Sequence, residues 1–429
     1  GRWGDFLKEA YSGKLRPIYN FLDDRPALEG HPAPILPRHL VSRYVGATTS
    51  FDAGRGCPFE CSFCTIINVQ GRKSRGRTPD DVERIVRGNY AQGIRSYFIT
   101  DDDFARHRGW EAILDRLIKL REEERLRVSF TIQVDTACSR LNRFIEKAAR
   151  AGCSKVFLGL ENINPESLAG TGKKQNKVDE YKAMLQAWRK QRVITYAGYI
   201  IGFPGDTYES VMRDIETIKR ELPIDLLEFF FLTPLPGSED HQKLAARGAR
   251  MDPDMNRYDT EHVTTHHPRM SKEEWERTYR DAWKSYYSPE HIETLFRRAG
   301  ASGLPMGKIL GQIFAFYGSI HYEGVHPLQS GAFRRMDRTS RRPCFPIENP
   351  LLFYPRYAWK MISTAYSAAG LALRLQRLRR RVERSPNFRT YTDPTLEPVP
   401  PKKIPIPERS KLPEPGEIPL VRIDPVAGR

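Results

Sequence analysis

Cysteine is scarce in this chain: six in 429 residues. That rules out a disulfide scaffold. Long apolar runs are missing as well. No stretch approaches the roughly 20 apolar residues of a membrane-spanning helix, and no signal peptide opens the sequence. Acid is in deficit, with 53 Asp and Glu against 69 Lys and Arg, a formal charge of +16. Such an excess suits nucleic acid, an anionic membrane or acidic substrates. It is unevenly spread. Arg374, Arg377, Arg379, Arg380, Arg381 and Arg384 lie close together, so the charge reads as a regional feature and not as a field over an active site. A hydrophobic content of 39% still supports a sizeable core in part of the chain.

Half of the cysteine there is falls in one short stretch. Cys57, Cys61 and Cys64 are spaced CxxxCxxC within Arg55–Cys64. Thiolates this close can reach one soft metal centre. A cubane iron–sulfur cluster normally takes four cysteines, so three leave one iron open, which suits catalysis better than plain electron transfer. A structural zinc knuckle needs a fourth ligand nearby. No cysteine or histidine follows Cys64 until His107. Cys138, Cys153 and Cys344 stand alone and read as buried or incidental thiols. The triplet points to a reducing compartment.

Residues 1–44 are proline-punctuated, with Pro17, Pro26, Pro32, Pro34 and Pro37, and read as a linker-like lead-in with a short helix over Trp3 to Ala10. From Val45 apolar runs alternate with amphipathic stretches. Strands are expected over 45–51, 96–100, 128–134, 156–160, 196–201 and 226–232. Helices are expected over 80–90, 110–124, 141–151, 179–191 and 208–221. Thr78-Pro79-Asp80-Asp81 supplies an N-cap, a proline in the first turn and an acid beside it. Asp206 and Glu209 have capping-box spacing. Gly93 and Gly152 sit where helices should stop. This alternation predicts an α/β fold, a partial (β/α)6 TIM-type barrel with parallel strands and right-handed crossovers. Its chemistry belongs at the C-terminal strand ends. Those ends carry the cysteine loop, Thr100–Asp103, Gln133 and Asp135, Gly159–Asn162, Gly202–Asp206 and Thr233–Ser238.

These residues resemble a known family. CxxxCxxC, with the aromatic Phe63 before the last cysteine, resembles the signature of the radical S-adenosylmethionine (SAM) superfamily. The resemblance implies that Cys57, Cys61 and Cys64 hold a 4Fe–4S cluster. It also implies that the methionine end of SAM chelates the open iron and that Phe63 lies against adenine. The segment TDDDF resembles the acidic motif of members that carry a cobalamin-binding domain, which implies that Asp101 or Asp102 meets the cofactor's amino group. GLEN resembles the fourth-strand motif, so Glu161 would face the ribose or the methionine end. Gly198–Thr207 resembles the segment packed on adenine. There Gly198, Gly202 and Gly205 would let the backbone approach a flat ring. Carboxylates at 101, 102 and 161 complement the ammonium and the sulfonium. Arg55 and Lys73 are candidates for the cofactor's carboxylate. The resemblance spans about Val45 to Met270, which defines the expected core domain, 45–270.

A helical extension is expected over 271–385. It opens on a capping box at Ser271–Glu274, followed by the aromatic stripe Trp275, Tyr279, Trp283, Tyr286 and Tyr287. The stripe reads as core-facing, with a substrate box as the rival. His262, His266 and His267 read as loop histidines, since no spacing selects them. Leu351–Leu378 leads into the arginines and fits either a packed helix with a solvated basic end or an amphipathic helix on an anionic membrane. Residues 386–429, rich in proline, read as a disordered tail.

The expected function is a radical SAM enzyme. Its cluster would generate a 5′-deoxyadenosyl radical for cobalamin-dependent methylation, cyclisation or rearrangement of an organic substrate. The resemblance also implies an electron donor such as flavodoxin or ferredoxin. Only 56 residues precede Cys57 and no DxHxxG segment occurs. Gly1–Lys8 and Leu15–Pro17 look like the linker that follows a cobalamin domain. The expectation is that the natural protein, or a partner, supplies that domain. One alternative is a nucleic-acid-modifying radical enzyme. Basicity favours it, but a second cysteine triplet and an appended RNA-binding barrel are lacking, so nucleic acid is not the expected partner. Another is a non-catalytic iron–sulfur or zinc protein that binds partners through its basic tail. The strand-end carboxylates argue against it. The expected location is cytoplasmic, with peripheral membrane contact left open.

Overall fold

Short β-branched and aromatic runs separated by helix-length stretches can pair in parallel only through crossovers. That is the architecture of the chain. The computed structural model describes residues 3–21, 24–33, 36–42, 48–330, 336–341 and 344–400. Strands β1 (Thr48–Phe51), β2 (Ser96–Ile99), β3 (Ser129–Val134), β4 (Cys153–Glu161), β5 (Ile194–Ile201) and β6 (Leu226–Phe231) form one sheet in chain order. Every neighbouring pair is parallel. Helices α1 (Pro79–Ala91), α2 (Trp110–Glu122), α3 (Phe144–Ala151), α4 (Tyr181–Lys190) and α5 (Tyr208–Glu221) make the crossovers. The fold is the expected partial (β/α)6 barrel. Residues 45–47, expected in the first strand, lie outside the described residues.

Local chemistry sets the element ends. Thr78 caps α1 in a reciprocal box with Asp81, with Pro79 in the first turn. Gly152, at φ +111°, stops α3. The cap of α5 lies one residue beyond the expected pair. Thr207 and Ser210 form the box, because the Asp206 carboxylate instead accepts from the backbone N–H groups of Gly202 (2.8 Å) and Phe203 (2.9 Å). That bond closes the turn after β5.

Beyond the short helix Glu239–Ala246 come α6 (Lys272–Tyr286), α7 (Pro289–Ala301), α8 (Met306–Gly318) and α9 (Pro350–Glu383). The aromatic stripe of α6 is core. Trp283 sits edge-on to Phe229 (5.3 Å between centroids) and Tyr279 stacks on Phe231 (4.6 Å). One hydrophobic core runs from β1 to α9, with no break at residue 270.

The disordered reading of the tail needs correction at its start. Residues 386–397 belong to the main unit, Gly1–Glu397. Phe388 packs over Gly300, Gln186 donates to the carbonyls of Thr395 and Glu397, and Asp393 pairs with buried Arg298 at 2.6 Å. A prolyl-rich composition hid these anchors. Pro398–Arg429 form a separate unit, and residues 401–429 lie outside the described residues. Among the described residues no helix is long and apolar enough to cross a membrane.

Candidate active site

The cysteine loop leaves the C-terminal end of β1 and is tied down at its base. Gly54–Arg55 pairs antiparallel with Arg75–Gly76. The ring of His107 lies where a Cβ on Gly54 or Gly76 would have to sit, and its Nε2 is 3.1 Å from the Ala53 carbonyl. Gly56 has φ +98°, and a Cβ there would overlap the Lys73 carbonyl. The acids after β2 complete the clamp. Asp101 accepts from the N–H groups of Ala53 (2.6 Å) and Gly54 (2.8 Å), and Asp102 from that of Gly56 (2.6 Å).

A cavity of about 170 Å³ opens above this base, walled by Cys57, Cys61, Cys64 and Phe63 from the loop. Asp102 and Asp103 face it from the loop after β2, Gln133 and Asp135 from the end of β3 and the residue beyond, and Glu161, Lys173 and Gln175 from β4 and the segment after it. Glu161 stands at a register shift between β4 and β5, in the left-handed region at φ +64°. A non-glycine residue held there is strained, as residues at functional sites often are. Its carboxylate forms an ion pair with Lys173, and both side chains are largely buried. Gly159 leaves room for the pair: a Cβ there would lie 3.0 Å from both charged ends. Lys173 Nζ also stands 5.9 Å from the Phe63 ring centroid. Burial works against its charge, but Glu161 and the Cys61 thiol hold its pKa above the ordinary lysine value.

Burial pushes the three thiols up, Cys57 to about 12, with Asp103 and the neighbouring thiols adding to it. Burial also pushes Asp101 up to about 7, against its two N–H donors. Asp103, buried beside Asp135, is pushed well up, whereas Arg106 holds Asp135 low through bonds of 2.6 and 2.9 Å.

Three free thiols on one wall fit a cubane cluster. No three His, Cys, Asp or Glu side chains among the described residues converge on a point suited to a single ion. A cubane does not ask for that, because each thiolate bonds a different iron. Only a strongly positive centre would draw such buried thiols to thiolates.

Phe63, Asp102 and Glu161 line the cysteine cavity, but Asp101 does not. Its Oδ1 is spent on the loop base, and its Oδ2 is buried with no hydrogen-bond partner among the described residues. Gly202 and Gly205 line a neighbouring cavity of about 750 Å³ that borders Ser62 and Trp275. Gly198 packs between Phe157 and Phe230 within the barrel. Arg55 pairs with Asp52 at 2.5 Å, and neither it nor Lys73 lines the cysteine cavity. His262 pairs with Asp259, and His267 Nε2 bonds the Phe203 carbonyl at 3.0 Å. The cation in the cavity, Lys173, carries no motif in the sequence. It reaches the site because Ser62 N–H bonds the Thr171 carbonyl (3.0 Å), which lays its segment across the cysteine loop.

An open parallel barrel with a thiol triplet beyond its first strand defines a metal-cluster enzyme class. Residues 52–218 match the family described as the radical SAM superfamily, whose members use a 4Fe–4S cluster and SAM. The chain is 30% identical over 244 residues to an uncharacterized methyltransferase of Pyrococcus horikoshii, covering 54% of this chain and 50% of that protein. It is 26% identical over 269 residues to bacteriochlorophyllide d C-12(1)-methyltransferase of Chlorobaculum tepidum, covering 61% and 56%. The radical SAM methyltransferase TsrM from Kitasatospora setae, solved with cobalamin and a 4Fe–4S cluster bound, superposes with a TM-score of 0.46 at 21% identity, covering 60% of this chain and 51% of that one. The chain spans about half the length of the curated relatives it matches.

Proposed function

We propose that this chain is the radical core of a methyltransferase that acts on an organic substrate. One observation carries the reading: three free cysteines share one cavity with a Glu161–Lys173 ion pair at the C-terminal ends of a parallel sheet. The names of the two curated relatives support methylation as the outcome.

In this reading Cys57, Cys61 and Cys64 give up their protons and hold the cluster. The cluster and SAM, when bound, supply one-electron cleavage of a sulfonium carbon–sulfur bond. The residues bind, orient and exclude water. Lys173 meets the carboxylate of the cofactor's methionine end, and Glu161 with Asp102 meets its ammonium. Phe63 covers the loop side of the cavity. Gly202 and Gly205 keep the backbone open beside it. Asp101 acts as a positioning residue that fixes the loop base. A one-electron donor such as flavodoxin or ferredoxin completes the chemistry. Cobalamin enters this reading as methyl carrier.

Anaerobic reconstitution followed by incubation with SAM and a reductant tests the proposal. The expected result is about four irons per chain and 5′-deoxyadenosine or S-adenosylhomocysteine among the products. A chain that holds iron but neither binds nor consumes SAM would overturn it.

A further inference from the structure

The long helix α9 has two apolar faces. One carries Thr364, Leu371, Leu375 and Val382, buried against the preceding helices α7 and α8. The other carries Leu352, Trp359, Ile362, Tyr366 and Leu373, each between 58% and 83% exposed. Their spacing of seven, three, four and seven residues keeps them on one stripe. Leu371 and Leu373, one on each face, lie about 200° apart around the helix. The exposed stripe is therefore not the surface by which α9 packs on its own fold. Exposed apolar side chains are ordinary when scattered, but five in one line mark a contact surface.

The same line changes chemistry toward the C-terminus, where Arg377, Arg380 and Arg384 follow Leu373 at spacings of four, three and four. The only acid between Pro350 and Glu383 is Glu383 itself, and Arg379 takes it at 2.8 Å. Arg377 and Arg380 have no carboxylate partner among the described residues. Next to them Arg374, Arg377 and Arg381 rim a cavity of about 290 Å³ floored by Leu371, Leu375 and Tyr317. A cationic rim over an apolar floor complements an amphiphilic anion.

We propose that α9 docks the chain on an anionic lipid surface. The stripe from Leu352 to Leu373 lies in the interface, and Arg377 and Arg380 meet lipid phosphates. Trp, Tyr and Leu beside arginine are the residues that membrane interfaces select. A second copy of the helix fits poorly, because it would bring its own arginines and only one acid. The helix lies on the surface and does not span it. No residue of the cysteine cavity enters this inference.

The test is co-sedimentation of the full, cluster-loaded chain with phosphatidylcholine vesicles, with and without phosphatidylglycerol, at low and high salt. Binding is expected to phosphatidylglycerol vesicles and to weaken at high salt. The Trp359→Ser/Tyr366→Ser and Arg377→Glu/Arg380→Glu variants should each bind roughly tenfold more weakly or worse, with an unchanged thermal midpoint. Brominated lipid should quench a tryptophan component that Trp359→Phe removes. Absence of binding at low salt, or wild-type binding by either variant, would overturn the proposal. So would a dimer seen by sedimentation equilibrium and broken by Trp359→Ser, which would give the stripe to a second copy.

Discussion

Glu161 forms its ion pair with Lys173 from a left-handed backbone conformation, φ +64°, inside the cavity that also holds Cys57, Cys61 and Cys64. Two costly features thus coincide in one residue: strain and a buried charge. The pair is matched to a zwitterion. A ligand carrying an ammonium and a carboxylate can part it and leave each protein charge with a new partner.

Splitting the pair by mutation lacks that compensation. Lys173→Met is expected to weaken SAM binding by ~1.5–3 kcal/mol, the range for a charge-assisted hydrogen bond, while iron content stays at the wild-type value. Glu161→Gln and Glu161→Gly should bind SAM equally poorly. The glycine variant should be the more stable of the two by about 1 kcal/mol, because glycine adopts positive φ freely. Calorimetric SAM titration with parallel iron assays checks this. Wild-type affinity in Lys173→Met would move the carboxylate contact elsewhere.

The cysteines divide cleanly by position. Cys57, Cys61 and Cys64 face one cavity, Cys138 and Cys153 are buried in the core, and Cys344 is exposed. Alanine at 57, 61 or 64 is expected to abolish the cluster's visible absorption and most bound iron. Alanine at 138 or 153 should lower the thermal midpoint and leave the iron. Cluster retention in Cys61→Ala would contradict the assignment.

The strand–helix rhythm, with burial alternating along β3, made the barrel legible in the sequence. The cysteine loop was legible because a chelating set at short spacing is local information. Lys173 was not, since a lysine in a polar segment carries no sign of burial until the Ser62–Thr171 bond lays that segment over the loop. Asp101 and Asp102 are adjacent acids with equal claims in the sequence. Only the fold aims one at the backbone of Ala53 and Gly54 and the other at the cavity rim. The anchors at Phe388 and Asp393 were masked by surrounding proline, because each depends on a single distant partner and no periodic pattern.

His107 and two glycines set the height of the loop base. Gly76→Ala is expected to destabilise the chain by roughly 1–3 kcal/mol, as for overpacked sites, and to reduce cluster uptake. Pairing it with His107→Ala should recover much of the uptake, because the added methyl then has space. A double variant as defective as Gly76→Ala alone, by iron content after reconstitution, would show that the ring is not the obstruction.

The last prediction concerns the end of the main unit. Arg298 is 3% exposed, and Asp393 reaches it at 2.6 Å. Deleting residues 398–429 should leave the thermal midpoint unchanged, whereas deleting from 386 should lower it markedly. Asp393→Asn is expected to cost about 3 kcal/mol, because it strands a buried guanidinium. The pH dependence follows from the direction of the shift. Burial alone would raise the Asp393 carboxyl, but Thr395 and Arg298 overcome it and hold the pKa below the ordinary value. A depressed folded pKa contributes stability that is fully present above the unfolded value and is lost as pH falls through the folded one. Urea midpoints of the iron-free wild type and Asp393→Asn should therefore differ by a constant amount down to about pH 5 and converge below about pH 4. A gap that persists at the acid end would mean that Asp393 holds the segment through shape and not through charge.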